Sequence, residues 1–445
     1  MALREPGTTP MKTIPFLLLL STVCHAMGQR PEPAPVQTRS ILVQGGTVHV
    51  GDGRLIMDGV VGFRNGRIDH VGNAATVTAT YDTVIDARGM EVYPGLILPD
   101  ATLGLGEIDQ VNATMDEREA GDRTPEVRAI AAYNADSRII PTVRRNGVLL
   151  AQICPRGGII SGTSSIVQLD AWGTSDATVR VDDGVHLVWP DRYDRNGWWA
   201  EPGPTVKAEA NKREAILSEL EDRFLRASAY AQRTHPDPVD VRSEALKGLF
   251  TGARTLFVHA DEAIAIQEAV LFARRVGVQR MVLVGGYDAW RVGDLLRENK
   301  VPVILRRLHS LPLREDDDID LPYRLPALMK AQGLTFCLGY SGGMERMGSR
   351  NLPFVAGTAA AYGLDPEEAL RAVTFDAARI LGISNDYGSL QEGLSATLFI
   401  SRGNVLDMRT NDVVMAFIDG RALHLDGIQE SLFERYRRHN AGPGH

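Results

Sequence analysis

Histidine is scarce along much of this chain: there are ten in 445 residues, and none lies between positions 71 and 185. No imidazole metal ligand can come from that interval. Cysteine is scarcer still, with three residues at 24, 154 and 337; that number and spacing exclude a zinc knuckle and a disulfide-stapled scaffold. Positive charge is in deficit. A net charge of -8 leaves no broad cationic field, so no nucleic-acid partner is expected. Long apolar runs are absent too, and with them any expected membrane span. What is present, 44% hydrophobic and 23% charged residues, is the composition of an ordinary globular protein with a large core.

The first residues read as a targeting segment. Lys12 precedes the apolar run Ile14 to Leu20, and Cys24-His25-Ala26 offers a small residue near a cleavage point, the layout of an export signal. Residues 1–29 are therefore expected to be a signal peptide, with Met11 as the true start and a periplasmic or secreted destination. Ser21-Thr22-Val23-Cys24 resembles a lipoprotein signal, but Val23 stands where a small residue is needed, so cleavage without lipidation is preferred. Cys154 and Cys337 then remain, each in an apolar strand-like run, and the reading is buried thiols. A disulfide between them stays open at this level.

Residues 30–40, rich in proline, read as a linker. Ile41 to Val50, Val60 to Phe63, Ile68 to Val71 and Thr83 to Ile85 are short β-rich runs broken by Gly45-Gly46, Asn65-Gly66 and Arg88-Gly89; Asn-Gly is a strong hairpin signal. The same pattern returns in Thr397 to Ile400 and Val413 to Asp419. Segments 41–93 and 388–426 are thus expected to build one composite β-sandwich. Between them, over 94–387, near-continuous apolar runs (Gly147 to Cys154, Thr255 to Ala260, Arg280 to Gly286, Val301 to Leu305, Leu334 to Gly339) alternate with helical patterns (Asp261 to Val276, Asp288 to Asn299, Leu321 to Gln332, Pro366 to Leu381). That rhythm predicts an α/β fold with parallel strands, a (β/α)8 TIM-type barrel. Pro202 to Arg233 reads as a solvated charged helix. Trp189 to Trp199, with three tryptophans, reads as a loop that either contacts ligand or packs. Residues 427–445 are a C-terminal tail.

Ile41-Leu42-Val43-Gln44-Gly45-Gly46-Thr47, Asn65-Gly66-Arg67-Ile68, Val84-Ile85-Asp86-Ala87-Arg88-Gly89 and Tyr93-Pro94-Gly95 occur in that order, followed near the end by Ala377-Ala378-Arg379-Ile380-Leu381-Gly382 and Gly388-Ser389-Leu390-Gln391-Glu392-Gly393. Together they cover most of residues 41 to 425, and the chain resembles secreted, imidazolonepropionase-like members of the amidohydrolase superfamily. The resemblance implies a barrel with a flanking sandwich and a metal-bound hydroxide that attacks a C–N bond, held by ligands at C-terminal strand ends. Carried over residue by residue, the His-x-His of the first strand becomes Asp100 and Thr102. The fifth-strand His is kept as His259, the sixth-strand His becomes Gly285, and the eighth-strand Thr-Asp-Ser-Gly becomes Tyr340-Ser341-Gly342-Gly343. No lysine accompanies His186-Leu187-Val188-Trp189-Pro190.

One family ligand therefore persists, and the leading expectation is a member of the fold that has lost metal-dependent hydrolysis: a catalytically degenerate binding subunit, with His259 as a relict imidazole. No cofactor is expected. Its partners would be an active amidohydrolase paralogue, a second copy of itself, or a small-molecule ligand. The rival is an active C–N bond hydrolase whose zinc-type metal is held by a rebuilt site of Asp100, His259 and Asp261. Glu107 and Asp109 follow the first strand and either line the same mouth or are solvated. Gly339-Tyr340-Ser341-Gly342-Gly343 formally matches the nucleophile-elbow pattern, a weak signal for Ser341 as a catalytic residue; a small space-filler is the preferred reading.

Overall fold

The chain is described by a computed structural model over residues 32–198, 201–234, 237–342, 344–425 and 427–440. The signal peptide expected over 1–29 lies outside them. Strands β1 (Ile41–His49), β2 (Leu55–Arg64), β3 (Arg67–Asn73), β4 (Thr83–Asp86) and β5 (Glu91–Pro94) open the chain. β2 and β3 form a hairpin whose turn residues, Asn65 and Gly66, both take left-handed φ values of 51° and 78°. That is the backbone a type I′ turn demands and the reason Asn-Gly stands there.

The barrel strands follow: β6 (Leu96–Ala101), β7 (Val148–Ile153), β8 (Ile160–Gln168) and β9 (Thr178–Val188). After an antiparallel excursion, β10 (Tyr193–Trp198) with β11 (Glu201–Lys207), come β12 (Thr255–Ala260), β13 (Met281–Gly285), β14 (Val303–Leu305) and β15 (Phe336–Leu338). β16 (Leu398–Ser401), β17 (Val413–Ile418) and β18 (Arg421–Ala422) return to the first sheet, which runs β18-β17-β16-β5-β1-β2-β3 with β4 beside β1. Its core is Val43, Val61, Phe63, Ile68, Leu398, Ile400 and Phe417, the inward half of each alternating strand. Both ends of the chain thus supply the flanking sheet.

The second sheet runs β6-β7-β8-β9-β12-β13-β14-β15, the barrel the apolar runs predict. Its ends are bridged through Ala372 and Val373, whose carbonyls accept from Leu338 N (3.0 Å) and Ile97 N (2.9 Å). One strand departs from the parallel expectation: β8 is antiparallel to both neighbours. The physical reason is length. Residues 154–159 alone connect β7 to β8, whereas a parallel crossover needs a dozen or more residues, and Gly157 and Gly158 at φ 88° and 67° turn the chain straight back.

Two other readings are corrected. Pro202 to Arg233 is not helical throughout: its first residues lie in β11, and the helix covers Ala210–Ala231, because Pro202 and Pro204 lack the N–H groups a helix needs. The tail holds a helix, Ile428–Asn440, with no buried residue. Trp189 is buried against Phe272 and donates to Glu268 at 3.3 Å, so at that position packing is the correct reading. Cys154 and Cys337 are free and buried. No helix among the described residues is long and apolar enough to cross a membrane.

Sheet and barrel are tied together by an imidazole. His49, stacked on Tyr93 at 4.2 Å, donates from Nδ1 to Glu367 Oε1 (2.7 Å) and from Nε2 to Glu91 Oε2 (2.9 Å). Burial alone would lower its pKa, but the two carboxylates prevail and raise it. A raised histidine stabilises the fold below its unfolded pKa, and that contribution is lost as pH rises through the folded value. Glu367→Gln is therefore expected to cost about 1–2 kcal/mol at pH 6 and much less at pH 9, read from urea denaturation at the two pH values; equal losses would contradict the clamp.

Candidate functional site

The strand ends converge on Asp100, the last but one residue of β6. It is fully buried at a φ of 49°, a backbone region unfavourable for a side chain and typical of functional sites. Contacts on both sides hold it there: its N–H donates to Gln152 Oε1 (3.1 Å), and its carbonyl accepts from Arg156 Nη2 (2.8 Å). Arg156, just beyond β7, also donates from Nη1 to Asp100 Oδ1 at 2.7 Å. The same guanidinium reaches Glu345 through Nη2 (3.1 Å) and Nε (3.2 Å). Glu345 further accepts from Thr102 Oγ1 (2.6 Å) and Gly342 N (2.8 Å). One part-buried cation therefore serves two buried carboxylates, each with additional hydrogen bonds, as burial of charge requires.

Two imidazoles face this network. β9 and β12 pair so that Val188 lies opposite His259 and His186 opposite Phe257; His186 stacks on Phe257 at 4.8 Å. The ring nitrogens His186 Nδ1 and His259 Nε2 are 2.9 Å apart and share a proton, and His186 Nδ1 lies 4.0 Å from Asp100 Oδ1. Burial drives the pKa of His186 well below the usual histidine value, with His259 adding to the fall. Burial also lowers His259, to about 4, with Arg156 and Arg306 repelling its proton and Asp100 opposing them. Burial would raise Asp100, but Arg156 and the imidazoles hold it far below the carboxylate range. At neutral pH the trio is one carboxylate and two neutral imidazoles.

Sequence reasoning named Asp100 and His259 of this trio and missed His186. Asp261, its third candidate, is corrected: the carboxylate forms an ion pair with Arg306 instead. Gly285 shows why that pair fits. A Cβ at this position would stand 2.5 Å from Asp261 Oδ1 and 2.8 Å from Arg306 Nη2, so the ion pair fills the space a sixth-strand side chain would use. Asp109 pairs with Arg346, which also holds Glu117, and Glu107 accepts from Asn134 Nδ2 and Arg138 N, both at 3.2 Å; neither acid joins the trio. Ser341 is buried beside Asp100, yet its Oγ has no hydrogen-bond partner of good geometry. The neighbouring carboxylate, Asp100, is already held by Arg156, and the nucleophilic reading of Ser341 loses support.

Residues 323–423 match the model of the amidohydrolase family. Imidazolonepropionases from Symbiobacterium thermophilum (27% identical over 388 residues, 78% of this chain and 85% of that protein) and Methylobacterium nodulans (27% over 379 residues, 76% and 86%) are similar in sequence. The solved structure of an amidohydrolase from Thermotoga maritima MSB8 shares the fold with a TM-score of 0.75, at 22% identity over 86% of this chain and 99% of that one. In sequence and in fold the chain is thus similar to the amidohydrolase superfamily.

Amidohydrolases usually bind a metal, and in this chain Asp100, His186 and His259 offer donor atoms that all lie within 4.8 Å of one another. The donor types and protonation states suit a divalent ion. Their arrangement does not. Tetrahedral zinc ligands at about 2.0–2.2 Å from the ion keep their donor atoms about 3.3 Å apart, whereas the two imidazole nitrogens are at 2.9 Å around a shared proton. The carboxylate oxygen nearest them already accepts from Arg156. As they stand, the residues present do not fit a catalytic metal.

Proposed function

We propose that this protein is an exported, non-catalytic amidohydrolase: its barrel mouth binds a small molecule, and it works beside an active relative or as an assembly of its own copies. The observation that carries this reading is Arg156, a guanidinium on the carboxylate oxygen nearest the two imidazoles. The ion pair of Asp261 and Arg306 at the sixth strand end supports it, as does Thr102, which donates to Glu345 at the position where the resemblance expects a second histidine. Without a metal-activated water, the superfamily's hydrolysis loses its nucleophile. The fold does not restore it.

A second reading, an active C–N bond hydrolase, is favoured by the convergence of Asp100, His186 and His259 and by the imidazolonepropionase relatives. Elemental analysis of protein purified without chelator separates the two, alongside assays on amide, cyclic imide and imidazolone substrates. We expect substoichiometric metal and no turnover. One equivalent of zinc or manganese, lost together with activity on His259→Ala, would establish the hydrolase instead.

A further inference from the structure

The tail helix Ile428–Asn440 buries none of its residues, yet it is amphipathic. Ile428, Leu432 and Tyr436 recur at every fourth residue and Phe433 stands beside them, so the four share one face. That face is left in water: Phe433 and Tyr436 are 66% and 57% exposed, and Ile428 and Leu432 are exposed as well. The body of the protein holds the opposite side. Glu430 accepts from Gly427 N at 2.9 Å and pairs with Arg145 at 3.6 Å, Gln429 accepts from Thr142 Oγ1 at 3.2 Å, and Glu434, one turn on, is half-buried. With Glu430 engaged there, the outer turns carry Arg435, Arg437 and Arg438 against Glu434, which Arg437 already pairs with at 2.7 Å. The helix end is therefore cationic in a protein whose net charge is -8. Arg435 lies over the Tyr436 ring at 5.3 Å, at the border of the apolar face. The start of the chain arrives on the same side. Asp170 accepts from Ala34 N at 2.8 Å and pairs with Arg144, the last residue of the short helix Ile140–Arg144 whose Thr142 holds the tail helix. The leader expected over residues 1–29 thus joins the fold beside this helix.

We propose that the tail helix docks on a bilayer bearing anionic phospholipid headgroups: Ile428, Leu432, Phe433 and Tyr436 enter the boundary of headgroups and acyl chains, and Arg435, Arg437 and Arg438 meet the phosphates. This goes beyond the binding role of the barrel mouth and does not depend on it. An apolar face with aromatic residues, flanked by arginines, holds a helix in the plane of an interface. Long cationic side chains reach the headgroups while their stems stay on apolar surface. The helix has 13 residues, fewer than the about 20 that span a bilayer, so it lies on the surface. A second copy of the chain fits the face less well. Two such faces pressed together would set arginine flanks against each other, with Glu430 and Glu434 turned back towards their own bodies.

The test is co-sedimentation of the full-length mature protein with vesicles of pure phosphatidylcholine and of phosphatidylcholine mixed with phosphatidylglycerol. Binding to the anionic vesicles is expected to be about tenfold tighter or more, since each arginine near an anionic surface contributes about fivefold, and to weaken as salt rises. Phe433→Ser combined with Tyr436→Ser should remove about nine-tenths of the binding. Arg435→Gln combined with Arg438→Gln should bring anionic vesicles down towards the level of neutral ones. All four side chains are exposed, so thermal melts of both double variants should match the wild type. Equal binding to the two kinds of vesicle, no binding by the wild type, or binding unchanged in the Phe433 and Tyr436 variant would each overturn the proposal. A dimer in sedimentation velocity that this variant abolishes, without vesicle binding, would overturn it in favour of a second copy.

Discussion

Arg156→Ala is expected to lower the stability of the fold by about 3–5 kcal/mol and to make the protein that remains responsive to divalent metal. The loss follows from charge. Arg156 is the cation shared by Asp100 and Glu345, both buried, and its removal leaves two carboxylates with no counter-charge in a low-dielectric site. The metal response follows from the same vacancy: Asp100 Oδ1 is released, and the His186–His259 pair lies within reach of it. Zinc or cobalt that binds the folded variant and not the unfolded chain raises its melting temperature by mass action, and cobalt adds a visible absorption band. In the wild type neither effect is expected. If the single variant does not fold, Arg156→Gln combined with Glu345→Gln removes one carboxylate along with the cation and keeps the test available. A wild-type melting temperature that rises with zinc as much as the variant's does would show that Arg156 does not exclude the ion.

The second large effect is a pH dependence with opposing parts. His259 titrates at about 4 in the fold against about 6.5 unfolded. Its folded pKa is depressed, so its imidazole must be charged at a cost as pH falls from about 6.5 to 4. Full protonation costs about 3 kcal/mol. His186 acts in the same direction. Asp183 acts oppositely: burial raises it to about 6, although Ser164 and Gln152 donate to it, so acidification from pH 6 to 4 relieves a penalty of about 3 kcal/mol. In the wild type these trends offset one another. Asp183→Asn removes the compensating part and is expected to be more stable than wild type at pH 7 by up to about 3 kcal/mol, then to lose stability more steeply towards pH 4.5. Urea denaturation at pH 7, 6, 5 and 4.5 measures both slopes. Parallel pH profiles for the two proteins would contradict a buried, proton-accepting Asp183.

The legible parts of this protein are those written in short-range pattern. Alternation and Asn65-Gly66 announce the β2–β3 hairpin because a type I′ turn needs φ > 0 at both residues. The continuous apolar strands β6 and β7 announce burial on both faces. The replacement of expected histidines by Asp100, Thr102 and Gly285 is visible residue by residue. What escaped was long-range. β8, Ile-Ser-Gly-Thr-Ser-Ser-Ile-Val-Gln, lies in the same sheet as the parallel strands, and its direction is set by a short connection rather than by composition. Arg156 follows a strand and precedes two glycines, which reads as a turn; its role depends on Glu345, far along the chain. His186 was passed over because only the lysine missing beside it was considered.

Local order and composition, then, establish the barrel with its flanking sheet, because periodicity and residue identity are properties of neighbours. Which charges meet there depends on closure of the barrel. Asp100, Arg156, His186, His259 and Glu345 come from five separate segments, and a carboxylate becomes either a metal ligand or an arginine's counter-ion according to which side chain the fold places within 3 Å of it.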